Sequence, residues 1–249
     1  FLAVLAARVL GEKALAVTVD MPLLPRADLR EARALAKRLG LRHRVIKTSP
    51  MTDSRFLANR PDRCYWCKAG LCRLLRRVAR ETGLGRVADG SNADELLDYR
   101  PGARAAREQG ICQPLQELGF TKADIRAASR VMRLPTADTP AAACLASRIP
   151  YGTPVTAARL KRIERAEQAL HALGFARCRV RLHGDVGRIE LPPSDLEAAV
   201  RRRAAVAAAL RQAGVPYAAL DLEGYRMGSL NETTGRATAS RSGTDGNRR

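Results

Sequence analysis

The chain has 249 residues, 46% of them hydrophobic, enough for one large or two modest domains with a real core, which excludes a disordered chain. No apolar run reaches the roughly 18–20 residues of a membrane-spanning helix, so a membrane protein of helical type is set aside; residues 1–10 are apolar but carry no basic leader and no cleavage site, so no signal peptide is read there. The net charge of +19 points to an anionic partner, nucleic acid or a phosphate-bearing small molecule, but the charge is spread along the chain and only 4% of residues are aromatic, leaving few platforms for stacking bases. The six cysteines, without a secretory signal, imply a reducing cytoplasm, where thiols serve as metal ligands, nucleophiles or core residues rather than as a disulfide framework.

In chain order, residues 1–10 read as a buried helix ended by Gly11. Residues 14–19 (ALAVTV) are a continuous apolar run, the pattern of a parallel strand covered on both faces. Residues 28–39 form an amphipathic helix closed by Gly40, and residues 43–47 (HRVIK) a second strand. Residues 48–61 read as loop, 64–68 (CYWCK) lead into a helix over 68–82, and 86–89 (RVAD) predict a third strand. Residues 90–95 (GSNADE) follow at that strand's C-terminal end, where open α/β sheets place ligands, and 98–102 read as a turn. Residues 114–118 lead to a capping-box start at Thr121 and Asp124 for a helix to about Met132. A connector over 134–143 delivers Cys144.

Beyond Gly152 the pattern changes. Thr156 caps a helix over 157–173 with Gly174 as its stop. Residues 178–183 (CRVRLH) alternate, with Val180 and Leu182 on one face and Arg179, Arg181 and His183 on the other. After a turn at Gly184 and Asp185, residues 187–191 return as a strand carrying Arg188 and Glu190 on a shared face. Ser194 and Glu197 suggest a capping box for a helix to about Ala213, residues 217–222 a last strand, 223–231 a loop and 233–249 a disordered tail. The fold class is therefore α/β: a parallel-sheet domain over 1–145, a smaller α+β domain over 146–232 and the tail.

Three cysteines carry the chemistry of interest. Cys64 and Cys67 form a Cys-x-x-Cys pair, suited to zinc, an iron–sulfur cluster or redox work, or simply to a helix start. With Cys144 as a third ligand, a three-thiolate site on a four-iron cluster would leave one iron open. Cys144 lies among small residues, with Arg148 near enough in sequence to favour its thiolate; buried packing is the plain alternative. Cys72, Cys112 and Cys178 read as structural. Arg179, Arg181 and Arg188 form a candidate anion site or a solvated strand face, Glu164 and Glu167 lie on one helix face, and Asn92, Asp94 and Glu95 either hold Mg²⁺ or cap the next helix.

Five stretches, residues 62–68 (DRCYWCK), 89–102 (DGSNADELLDYRPG), 143–155 (ACLASRIPYGTPV), 180–191 (VRLHGDVGRIEL) and 220–231 (LDLEGYRMGSLN), together resemble the LarE family of ATP-dependent sulfurtransferases, in order and from residue 1 to about 231. That family acts on pyridinium-3,5-biscarboxylic acid mononucleotide in building the nickel-pincer nucleotide cofactor of lactate racemase. The resemblance implies an adenine-nucleotide hydrolase-like (PP-loop) fold and adenylation of a substrate carboxylate by ATP with Mg²⁺. It implies sulfur transfer to a thiocarboxylate, a cytoplasmic location and a homo-oligomer. In one branch the cysteine at the Cys144 position surrenders its own sulfur; in the other, three cysteines hold a [4Fe-4S] cluster, and Cys64, Cys67 and Cys144 match the latter. The same resemblance assigns Lys68, Arg148, Glu167, Arg179 and Arg181 to the substrate and phosphate region, with Asp94 or Glu95 assisting a metal. The family's SGGxDS pyrophosphate loop does not occur in the chain, and the expectation is a sequence truncated just before residue 1. The competing readings are a tRNA thiolation enzyme of the same superfamily, which the charge favours, and a non-catalytic metal-binding or scaffold protein.

Overall fold

The computed structural model describes residues 1–97, 100–140, 143–226 and 230. The chain opens on α1 (Leu2–Leu10), ended by Gly11 at φ 53°, and β1 (Ala16–Asp20). Helix α2 (Arg26–Arg38) crosses over to β2 (His43–Lys47), which pairs parallel to β1 from Ala16 opposite His43 to Asp20 opposite Lys47. Parallel pairing needs such a crossover, and the Val- and Ile-bearing runs supplied the signal for it. The first helix departs from expectation: Val4 is its sole buried residue among those described, while Val9 is 79% and Leu10 52% exposed.

Next come α3 (Ser54–Leu57), capped by the Asp53 side chain, and α4 (Arg63–Glu81), which starts earlier than the sequence suggested and so takes Cys64 and Cys67 into its first turns. The strand expected over 86–89 is reduced to one parallel bridge between Ala88 and Cys112. Its partner segment runs straight into Pro114, which has no N–H to extend a ladder and instead opens α6 (Pro114–Glu117). Between them lies α5 (Pro101–Glu108), with Pro at its start, where the sequence reading had a turn. Helix α7 (Lys122–Val131) begins on the expected capping box of Thr121 and Asp124. The expected tail over 233–249, and residues 98–99, 141–142, 227–229 and 231 of the motifs above, lie outside the described residues.

The C-terminal part is built on α8 (Ala157–Ala172), capped by Thr156, and a sheet in which β3 (Arg179–His183) pairs antiparallel with β4 (Val186–Glu190). Helices α9 (Pro193–Arg201) and α10 (Arg203–Gln212) then return the chain to β5 (Tyr217–Leu220), parallel to β4. The expected capping box at Ser194 is not formed, because Pro193, whose fixed φ suits the first helical position, starts the helix two residues earlier than a Ser194 cap would, and no side chain caps it. The single helix expected to Ala213 breaks at Arg202.

Val180, Leu182 and Ile189 of the sheet pack against Leu160, Ile163 and Leu170 of α8 and Leu210 of α10, and the same core takes in Leu23, Phe56, Leu145 and Ile149 from the earlier part. Gly187 sits where this core is tightest: a Cβ there would stand 2.8 Å from Val215 Cγ1 and 3.0 Å from Leu210 Cδ2. Gly187→Ala is expected to cost about 1–3 kcal/mol through overpacking, read as a lower midpoint in chemical denaturation at unchanged m-value.

Candidate active site

A cavity of about 560 Å³ opens between the start of α4, the Cys144 loop, β3 and the segment after β5. Cys64 and Cys67, three residues apart on α4 and so on one side of it, line this cavity together with Cys144. Cys64 and Cys144 are exposed and Cys67 half-buried. Cys144 precedes a 3-10 turn over Leu145–Arg148. Its carbonyl accepts hydrogen bonds from the Ser147 hydroxyl at 2.8 Å and from Arg148 Nη1 at 3.1 Å, and the next residue is tied to the strand side by Leu145 N–H donating to the Leu23 carbonyl at 2.9 Å. The backbone is thus fixed while the thiol is left to the cavity.

The three thiols feel one another. Burial, and then the charge of Cys144 and Cys64, push the Cys67 thiol up to about 12 against the pull of Arg63 and Lys68. Cys64 is exposed as a residue, but desolvation by the protein around its thiol raises it; the adjacent Arg63 opposes this and Cys144 adds to it. Among the described residues no three His, Cys, Asp or Glu side chains form a group that could hold a metal ion.

Cations and carboxylates around the cavity are distributed unevenly. Lys68 Nζ lies 2.7 Å from Asp89 Oδ2; burial would raise the Asp89 carboxyl, but the bonds from Lys68 and Ser91 hold it below the usual carboxylate range. Arg179 and Arg181 both stand in the cavity wall with Lys68 and Glu95. Arg179 Nη1 donates to the Cys178 carbonyl at 2.8 Å, and its guanidinium lies 5.4 Å from the Tyr225 ring. Tyr225 reaches the wall through Gly224, whose φ is +73° and whose absent Cβ would stand 2.6 Å from the Leu191 carbonyl oxygen. Arg181 makes a two-pronged pair with the fully buried Glu190 at 2.5 and 3.1 Å and donates to the Ser147 carbonyl at 2.8 Å. So the Arg179 and Arg181 face of β3 is not a solvated strand face.

The remaining expected residues lie elsewhere. Arg148 and Glu167 are outside this wall: the buried guanidinium binds both carboxylate oxygens at 2.9 and 3.1 Å, and Glu167 also accepts the Val180 N–H at 3.0 Å. Arg148 meets Cys144 at its carbonyl, so this pair clamps the loop from behind. Arg188 is turned to Glu190 and Asp221 at 3.1 and 3.0 Å and is likewise outside the wall. Asn92 is buried behind it, its Nδ2 3.4 Å from Glu95 Oε1. Asp94 accepts the backbone N–H of Lys122 at 2.8 Å, whereas Glu95 pairs with Arg100 at 2.6 Å; the two carboxylates do not converge on a shared cation position. Glu164 receives the Arg26 N–H at 2.6 Å at the start of α2. Cys72 and Cys178 are buried in packing as expected.

Sequence reasoning missed Arg63, Asn59, Ser147 and Tyr225. Arg63, Ser147 and Tyr225 each lay within one of the five stretches (residues 62–68, 143–155 and 220–231) but nothing in their local spacing set them apart from their neighbours.

No protein-family model matches the chain. It is 40% identical over 225 residues to an uncharacterized protein of Synechocystis, covering 90% of this chain and 84% of that one. It is 33% identical over 234 residues to the pyridinium-3,5-bisthiocarboxylic acid mononucleotide synthase of Lactiplantibacillus plantarum, covering 94% of this chain and 85% of that one. An uncharacterized protein of Methanocaldococcus jannaschii is 27% identical over 212 residues, 85% of this chain and 81% of its own length.

Proposed function

Since the chain belongs to the LarE-type family of the pyridinium-3,5-bisthiocarboxylic acid mononucleotide synthase, we propose that it is an ATP-dependent sulfurtransferase that converts a carboxylate of a pyridinium mononucleotide into a thiocarboxylate, for the nickel-pincer nucleotide cofactor of lactate racemase. The observation that carries this reading is the cavity itself: Cys64, Cys67 and Cys144 share it with Lys68, Arg179 and Arg181, and its size falls in the range of small-molecule sites.

In this reading a substrate carboxylate oxygen attacks the α-phosphorus of ATP, releasing pyrophosphate and leaving an acyl adenylate. A sulfur nucleophile then attacks the carbonyl carbon; the bond to AMP breaks and AMP leaves with the electron pair. Lys68 and Arg179 bind the phosphate and the developing oxyanion, where preorganised cations act most strongly. Arg148 with Glu167, and Arg181 with Glu190, hold the Cys144 and Ser147 backbone so that the thiol position does not drift. The PP-loop architecture, the Mg²⁺ that accompanies ATP, a cytoplasmic setting and assembly into a homo-oligomer belong to the same proposal.

Thiols suit an iron–sulfur cluster by their softness, and Cys64, Cys67 and Cys144 line one cavity, but as placed they do not form a group that could hold a metal ion; a [4Fe-4S] cluster there would need the three thiols drawn together, and would supply an iron-held sulfur. Asp94 and Glu95 do not fit a joint Mg²⁺ site, as their separate partners above indicate. The test is incubation of anaerobically purified protein with ATP, Mg²⁺, sulfide and the mononucleotide. The expected result is stoichiometric AMP and a product in which oxygen is replaced by sulfur, and AMP without that product would overturn the reading.

A further inference from the structure

Three arginines are buried: Arg63, Arg148 and Arg181. Two of them share one arrangement. Arg148 donates from Nη1 to the Ala143 and Cys144 carbonyls, and from Nε and Nη2 to the two oxygens of Glu167. Arg181 donates from Nη1 to the Ser147 carbonyl, and from Nε and Nη2 to the two oxygens of Glu190. In each, Nη1 grips a loop while the edge bearing Nε takes a carboxylate as a fork. Arg63 repeats only the first half. Its Nη1 donates to Asn59 Oδ1 and, at 3.4 Å, to the Ile149 carbonyl, and its guanidinium lies 5.2 Å from the Tyr151 ring. Its Nε is buried without a hydrogen-bond partner, and no carboxylate pairs with it among the described residues. A buried ion without a counter-ion is costly, and a guanidinium cannot escape by losing its proton.

The placement is nevertheless firmly built. Asn59 is fully buried and adopts φ +54°, a conformation uncommon outside glycine. Its Nδ2 donates to the Pro150 and Thr153 carbonyls, both at 2.7 Å. It thereby rivets the start of α4 to the loop after Cys144 and holds Arg63 in place. The guanidinium so held is part of the cavity wall, together with the apolar Leu23, Phe56 and Pro61 and with Tyr151. A flat aromatic ring suits such a lining, and an acid group on that ring would then meet a cation already fixed in position.

We propose that Arg63 sets the substrate specificity of this cavity: it binds a second carboxylate of the substrate, the one that is not being activated, while Lys68 and Arg179 serve the reacting one. This rests on the sulfurtransferase reading given above and narrows its substrate class to a pyridinium dicarboxylate. A planar carboxylate matches the edge bearing Nε as Glu167 and Glu190 match it in Arg148 and Arg181. Once one acid group has become a thiocarboxylate it is still an anion, so the same residue holds the ring while the other group reacts.

The experiment is equilibrium dialysis of the full chain, without ATP so that binding alone is read, against two ligands. One is the pyridinium-3,5-dicarboxylic acid mononucleotide; the other is the corresponding 3-monocarboxylic acid mononucleotide, which keeps the ring and the phosphate. Wild type and Arg63→Gln are compared, with circular dichroism to check folding. Arg63→Lys, which keeps the charge but not the fork, takes the place of the Gln variant if that one does not fold. Wild type is expected to prefer the dicarboxylate by on the order of tenfold or more, and the folded variant to lose most of that preference through weaker binding of the dicarboxylate alone. A wild type that binds both ligands equally would overturn the proposal, and that result does not depend on any variant folding. Equal weakening of both ligands in the variant would assign Arg63 to the phosphate or to holding the loop, and unchanged binding of both would leave it no part in recognition; either overturns the proposal alone. A wild type that binds neither mononucleotide would overturn the sulfurtransferase reading and this proposal with it.

Discussion

Cys144→Ser is expected to abolish thiocarboxylate formation, by on the order of 10³-fold or more, while the protein folds as the wild type does. The size follows from removing a group that, in the proposed reading, carries the reaction rather than one that tunes it. The intact fold follows from the placement: Cys144 is exposed to the cavity, and the hydrogen bonds that fix this loop use its backbone carbonyl, which serine keeps. The companion variants separate the two routes for sulfur. Cys64→Ser and Cys67→Ser should be equally inactive if all three thiols are needed as ligands, and near wild type for a single turnover if Cys144 alone surrenders its sulfur. Cys72→Ser, in the packing between α4 and Ile111, is expected to affect stability and not the sulfur chemistry. The measurement is product formed per chain under anaerobic single-turnover conditions, with circular dichroism on each variant.

The second large effect is on stability. Glu167→Gln leaves the Arg148 guanidinium buried without its carboxylate, and Arg148→Met leaves Glu167 in the same position. Breaking a buried pair from one side costs about 3–5 kcal/mol, whereas replacing both partners with apolar groups is often close to neutral. Each single variant is therefore expected to lose about that much in chemical denaturation, and Arg148→Met with Glu167→Leu should recover a large part of it. The double variant should still be impaired in sulfur transfer, because Arg148 also anchors the Ala143 and Cys144 carbonyls at 2.7 and 3.1 Å. A double variant no more stable than the singles would mean that the carbonyl anchors, not the ion pair, dominate this corner of the fold.

What was legible in the sequence was what local periodicity and capping encode. The β1–α2–β2 unit, the Thr121 and Thr156 caps and the β3–β4 hairpin were all readable, because apolar spacing of two or near four and a hydroxyl before a helix act within a few residues. The pair Cys64 and Cys67 with the distant Cys144 was also readable as a set, and the structure does bring these thiols to one cavity. Partner choice was not readable. Arg148, Arg179, Arg181 and Arg188 looked alike in the sequence, yet Arg148, Arg181 and Arg188 all pair with carboxylates, and of the four Arg179 and Arg181 border the cavity. Arg63 and Asn59 escaped notice because one is distinguished by the lack of a carboxylate and the other by a backbone angle, and neither leaves a mark in spacing. The strand expected at 86–89 shrank to a bridge because Pro114, a tertiary neighbour 25 positions on from Asp89, stops its partner.

The central claim is that sulfur reaches the substrate from a three-cysteine site that survives the reaction. It is tested most directly by isotopically labelled sulfide. The iron-loaded protein is turned over with ATP, the mononucleotide and the labelled sulfide, and both the product and the peptide containing Cys144 are weighed by mass spectrometry. The account predicts labelled thiocarboxylate over several turnovers with Cys144 still a cysteine. Unlabelled product together with Cys144 converted to dehydroalanine, or no product at all from iron-loaded protein, would contradict it.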